Sequence, residues 1–299
     1  MVELASRSAA PDFPPTDPLP ASAAGAAPGR FRSFRDERRR VHRTRVHRIE
    51  IPGALPAPEV GVHTGPLETA GTLRDVVVRA MLRRNQHQGA TRFHVVLSEP
   101  PRDPVDPTWR ADLGAALALR PVVGLICRTP VAQVTVKLLD ALAEAAGDKE
   151  IWLEMAAHPP GGAAEFAAAA HAARNRSIPV IATLLLGVPG ETPGTHARRL
   201  NEIRVRAVRI HPFHESAPDA GCGGTEHSGT FPDRGAYLAA LADLVERLEP
   251  SIELAGLGAG VPPARVRAPA WLREAADYHE LLEHELARRG SRQGRRLDG

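Results

Sequence analysis

The residues best suited to chemistry lie where apolar runs stop. Val180 to Glu191 reads VIATLLLGVPGE, a β-branched and apolar run that ends abruptly at Gly187-Val188-Pro189-Gly190. This pattern predicts a buried parallel strand feeding a loop and then a helix. Gly187 and Gly190 let the backbone turn sharply and approach a ligand closely. Glu191 follows just past the strand end, where α/β barrels and open α/β sheets place their chemistry. An ordinary strand-to-helix loop would carry the same signature. Glu154 closes the preceding strand in Trp152-Leu153-Glu154. Carboxylates at these two strand ends could bond a ribose or an ammonium group, or cap neighbouring helix N-termini. His211 and His214 stand three apart with Glu215 beside them, a spacing open to metal ligation or acid/base work. Cys222, Glu226 and His227 form a looser metal-ligand set, with a flexible loop as the alternative.

These positions need a scaffold, and the apolar pattern supplies one. Strands are expected at Val46–Ile51, Arg92–Leu97, Val122–Cys127, Glu150–Met155, Val180–Leu186, Ala207–His211 and Ile252–Leu257. Helical spacing separates them at Thr72–Gln88, Pro107–Leu119, Val131–Ala146, Ala163–Asn175, Pro193–Ile203 and Pro232–Leu248, with a last helix at Ala270–Arg289. Strands alternating with helices imply repeated βα units and a parallel sheet. Strand number and length favour an open or incomplete (β/α) barrel over a doubly wound sheet. No GxGxxG follows the first strand, which argues against a dinucleotide fold. Glu215 to Thr230 is Gly-rich and irregular, expected as a surface loop or lid.

The chain has 299 residues, 43% hydrophobic but only 4% aromatic, so Ala, Leu and Val must build its core. Net charge is +3, with a sequence pI near 9.3. Nine arginines fall between Arg30 and Arg48. That segment reads as a solvated basic lead-in to the first strand or as a phosphate-binding arm. Two cysteines, Cys127 and Cys222, make no disulfide framework, so a reducing cytoplasm is expected. No signal peptide and no apolar run long enough to span a membrane is read. Residues 1–29 are Pro/Ala/Ser-rich and expected as a disordered tail, 30–290 as the barrel domain, and 291–299 as a polar tail.

Taken in order, Trp152-Leu153-Glu154, Gly187-Val188-Pro189-Gly190-Glu191 and Arg209-Ile210-His211-Pro212-Phe213-His214 resemble the bacterial radical-SAM proteins of the YhcC type. Arg267-Ala268-Pro269-Ala270-Trp271 and Arg292-Gln293-Gly294 extend the match. The radical-SAM domain of the Elongator catalytic subunit is a more distant likeness. The resemblance covers about residues 90 to 295; its motifs are weak singly and specific as an ordered set. It implies a partial (β/α)6 TIM-like barrel binding S-adenosylmethionine (SAM) at the C-terminal ends of its strands. It also implies that Glu99 lies near the SAM amino group and that Arg128 meets a ligand carboxylate. The relatives share a His-x-x-His, so His211 and His214 join the ligand set and no metal ligands are expected. The cofactor-binding set is then Glu99, Arg128, Glu154, Gly187, Gly190, Glu191, His211 and His214.

The chain departs from the family where a [4Fe–4S] cluster should bind. Three closely spaced thiolates leave one iron open for SAM. The corresponding loop, Pro52–Pro66, has no cysteine, and Glu59 and His63 are poor substitutes for thiolates. Where the family has Gln-Thr after Leu-Glu, this chain has Ala156-Ala157-His158-Pro159. The expectation is a degenerate radical-SAM-like protein with a SAM or nucleoside pocket and no cluster, either a cluster-less enzyme or a ligand-sensing pseudoenzyme. The alternative is a non-catalytic barrel that binds a protein or an RNA.

Overall fold

The computed structural model describes residues 29–51, 72–98, 100, 103–104, 106–157, 162–213, 215–216, 231–258, 266–274 and 276–297. Residues 1–28 of the tail expected over 1–29, the loop after the first strand and the stretch 217–230 lie outside them. In chain order the elements are α1 (Phe34–His42), β1 (His47–Ile51), α2 (Leu73–Gln88), β2 (Phe93–Ser98), α3 (Pro107–Leu117), β3 (Val122–Arg128), α4 (Val136–Ala146) and β4 (Glu150–Ala156). Then come α5 (Gly162–Arg174), β5 (Val180–Leu186), α6 (Pro193–Ile203), β6 (Ala207–Pro212), β7 (Glu215–Ser216), α7 (Arg234–Arg247), β8 (Glu253–Leu257), β9 (Val266–Ala268) and α8 (Tyr278–Arg288).

Seven strands pair in the order β1-β2-β3-β4-β5-β6-β8, every neighbour parallel. They form a curled half-barrel with helices around it, the α/β radical-SAM-like architecture expected from the sequence. β7 and β9 make a small antiparallel pair apart from it. Local chemistry marks the helix starts. Thr72 and Asp75 form a reciprocal capping box on α2, and Thr135, Thr192 and Asp233 cap α4, α6 and α7. Two expected helices are broken. Val131–Gln133 is a 3₁₀ turn before the Thr135 cap, and Ala270–Arg273 is another before Asp277 caps α8. In each case a side-chain oxygen captures backbone N–H groups and restarts the chain.

The sheet separates two cores. The outer one packs the surrounding helices on alternate strand residues such as Val95, Leu125, Leu153, Ala182 and Val208. The inner one is small: Phe34, Val96, Ile126, Trp152, Ile181 and Ala207, with Ala255 against it. Phe34 belongs to α1, so the segment expected as a solvated lead-in contains a helix lying on the concave face. It was hidden because its anchors are few and partly charged. Phe34 and Arg38 are its buried residues. Arg38 pairs with Glu150 at 2.9 Å and Glu253 at 3.6 Å, and it lies over the rings of Phe34 and Trp152.

Just before α1, the amide of Leu254 in β8 donates to the Arg32 carbonyl at 2.7 Å, and Ser33 bridges Leu254 in parallel. Gln293 locks this junction. Its Oε1 accepts from the Arg32 amide at 2.9 Å, and its Nε2 donates to the Glu249 and Ile252 carbonyls, both at 2.8 Å. Ser291 and Gln293 are both buried. Gln293→Ala would leave one donor and two acceptors without their partner. It should cost about 2–3 kcal/mol, read as a lower denaturant midpoint with an unchanged m-value.

Candidate functional site

Parallel strands put all their C-terminal ends on one side, and the alternation of side chains decides what faces inward there. Glu154 is the centre of the inward-facing polar layer. It is 2% exposed. Arg209 approaches from β6, Nη2 donating to Oε2 at 3.1 Å and Nε lying 2.9 Å from Oε1 at an angle too bent for a hydrogen bond. Arg128, at the end of β3, donates from Nε to Oε1 at 3.2 Å and from Nη1 to Ser98 Oγ at 3.4 Å. The Thr183 hydroxyl of β5 adds a bond to Oε1 at 3.3 Å. Burial pushes the Glu154 carboxyl up, but Arg209, Arg128 and Arg48 outweigh it and hold it below the usual carboxylate range. Arg48 spans the concave face from β1, its Nη2 reaching the Ala255 carbonyl of β8 at 3.5 Å. It thus links the two edge strands of the sheet.

Of the residues singled out in the sequence, Arg128 and Glu154 meet directly. His211 lies on the same face of β6 as Arg209, with Nδ1 2.5 Å from the Gly258 carbonyl. Glu191 turns towards α6: its carboxylate lies 3.1 Å from His196 Nδ1 and accepts from Arg199 at 3.4 Å. Thr192, not Glu191, caps that helix. Gly190 has open space where a side chain would project, whereas a Cβ on Gly187 would stand 2.4 Å from the Phe231 ring. The close approach that Gly187 makes in the described structure is therefore to an aromatic ring. Phe231 belongs to a cluster with Tyr237, Trp271 and Tyr278. Glu99, His214, Cys222, Glu226 and His227 lie outside the described residues.

Sequence reasoning missed Ser98, Thr183, Arg209 and Arg48. The available signal was a polar residue at an inward position of an otherwise apolar strand. Arg209 interrupts AVRIHP in that way, and Thr183 interrupts VIATLLL. Cys127 occupies the opposite phase. It is wholly buried on the outer, helix-covered side of the sheet, and burial pushes its thiol up to about 12.

No family model matches the chain, and no curated protein matches it. Among solved structures it is similar to Elp3 from the archaeon Methanocaldococcus infernus lacking its N-terminal residues 1–46. The TM-score is 0.62 at 10% identity, over 83% of this chain and 64% of that one. The chain thus spans just under two thirds of that relative. Two structures of the radical S-adenosylmethionine methyltransferase TsrM from Kitasatospora setae overlap it at TM-scores of 0.30 and 0.31. Identities are 15% and 14%, over 46% and 48% of this chain and 30% and 31% of those. At such low identity the Elp3 likeness establishes the fold, a radical-SAM-type α/β half-barrel.

Gly187 combines φ of +97° with the Phe231 ring at contact distance. Gly187→Ala should destabilise by about 2 kcal/mol or more, from backbone strain and overpacking together. A double-mutant cycle separates the two: in the Gly187→Ala background, Phe231→Ala should cost less than in the wild type. Equal costs would mean that the ring and the glycine are not coupled.

Proposed function

We propose that the half-barrel binds SAM or a related nucleoside at the C-terminal ends of its strands and works without a [4Fe–4S] cluster, as a degenerate radical-SAM-like protein. One observation carries this reading: the inward layer of Ser98, Arg128, Glu154, Thr183 and Arg209 lies where parallel α/β folds bind ligands. A layer of fixed donors and acceptors suits a molecule with a carboxylate, an amino group and ribose hydroxyls. Arg128, its side chain 38% exposed, would meet a carboxylate in bidentate fashion. Thr183 and Ser98 supply hydroxyl partners of lower charge.

The residues present do not fit the cluster. The chain has two cysteines, and Cys127 is a buried thiol facing the helices instead of the concave side. Without cluster chemistry, the protein's part is to bind and orient the ligand and to hold charge around it. Glu154 is the positioning residue, since the Arg128 and Arg209 guanidiniums both rest on its carboxylate. Calorimetric titration with SAM, S-adenosylhomocysteine and adenosine should show one site per chain. A matching rise in melting temperature should accompany it. Arg128→Ala should weaken SAM at least tenfold and adenosine little, because adenosine lacks the carboxylate. Failure of all three ligands to bind would sink the reading.

A second reading, a barrel that binds RNA, has its own observation. Several arginines elsewhere in the fold rest on carboxylates, as do Arg176, Arg206, Arg209, Arg289 and Arg296. Arg35, Arg39, Arg43 and Arg45 are exposed, and none pairs with a carboxylate among the described residues. Together with Arg84 of α2, Arg35 and Arg45 add to burial in lowering the pKa of His47, so these charges share one surface. On this reading RNA affinity falls steeply with salt, and replacing these four arginines with glutamine flattens the slope. Binding insensitive to salt would dismiss it.

A further inference from the structure

The floor of the half-barrel lies at the other end of the strands from Glu154, and it carries a second polar cluster. In the sheet register Gly124 of β3 stands between His94 of β2 and Glu150 of β4. A Cβ there would sit 2.8 Å from Glu150 Cβ and 3.0 Å from His94 Cδ2. The missing side chain lets the two neighbours meet across the strand, His94 Nε2 lying 3.1 Å from Glu150 Oε2. From the other side α1 delivers its last residue, His42, with Nε2 3.2 Å from Oε1. That nitrogen is shut off from solvent and makes no hydrogen bond among the described residues. The carboxylate is held from behind: Arg38 donates to Oε1 at 2.9 Å, and Trp152 Nε1 donates to Oε2 at 3.4 Å. Arg38 is itself met by Glu253 at 3.6 Å, which offsets its charge. The two imidazole nitrogens and the carboxylate all lie within 4.8 Å of one another.

Atoms bound to a common zinc ion at about 2 Å stand about 3 Å apart. We propose that His42, His94 and Glu150 bind a divalent transition-metal ion, zinc by ligand preference, and that the ion fastens α1 across the concave face. Two imidazoles and a carboxylate are a familiar zinc set with a fourth position left to water. Arg38 and Trp152 would serve as the outer donors that orient a metal-bound carboxylate. The ion would replace the one unsatisfied contact in the cluster, His42 Nε2 against Glu150, with two coordinate bonds. It would tie the N-terminal helix to β2 and β4, far from the proposed nucleoside site. The two proposals therefore stand or fall separately.

The test uses the untagged full chain, stripped with a chelator and titrated with zinc chloride by calorimetry. Cobalt is added in parallel for its visible d–d absorption. One zinc per chain should bind, the melting temperature should rise, and cobalt should colour the protein. His42→Ala removes a partly exposed side chain at a helix end and should leave the fold intact. It should weaken zinc at least tenfold and abolish the cobalt spectrum. His87→Ala, an exposed histidine on α2, should change neither. The proposal is overturned if the wild type binds no stoichiometric ion, if His42→Ala binds as the wild type does, or if His87→Ala loses the ion as well.

Discussion

Glu150, Glu154 and Glu253 stand on the concave face, and each is tolerable only because guanidiniums reach it. A buried carboxylate without partners costs far more than folding can spare. Glu253 is the extreme case. It has no exposed surface, and Arg206, Arg32 and Arg38 surround it at 3.1, 3.4 and 3.6 Å. Burial nonetheless pushes its carboxyl up. Arg38 connects Glu253 to Glu150, whose carboxyl is raised by burial but held at about 2 by His94, Arg38 and His42. One arginine therefore joins β4, β8 and α1. Without it two carboxylates would lose a charge partner, and α1 would keep Phe34 as its main anchor.

This arrangement gives the concave face three tiers. The floor is ionic, built from Glu150, Glu253 and the arginines of the N-terminal segment. The waist is apolar, with Phe34, Trp152, Val96, Ile126 and Ile181 packed together. Above it, Glu154 and its arginines form a second ionic layer at the C-terminal ends. The waist lies between the two charged layers, and Arg48 acts on both, on Glu154 above and on His94 below. Charge-paired layers also rigidify what they touch, since a guanidinium shared between strands fixes both. A ligand arriving at the upper layer would meet groups already oriented, which lowers the ordering cost of binding.

Strand phase explains why Cys127 and Glu154 face such different surroundings. Glu154 and Trp152 point inward, while Leu153 and Met155 point to the helices. One step of phase places a side chain on the concave face or in the outer core. Cys127 follows Ile126 and precedes Arg128, so it faces outward between two inward neighbours. Its burial there makes it a small apolar packing residue.

The amino-acid sequence by itself determined the sheet and its helices. Apolar runs bounded by Gly and Pro located the strands of the half-barrel within a residue or two, because hydrophobic periodicity and capping are local properties. It also placed Arg128, Glu154, Gly187 and His211 at strand ends, since a strand end is a local event. Tertiary structure alone decided what those residues touch. Arg209 meets Glu154 across 55 positions of chain, and Arg48 reaches Ala255 across 207. Helix α1 was not legible because burying Phe34 and Arg38 depends on partners at Glu150, Trp152 and Glu253, all supplied by distant strands. Likewise nothing in a single Gly124 announces that His94 and Glu150 meet over it. That meeting follows from strand register, which long-range pairing sets and no local pattern records.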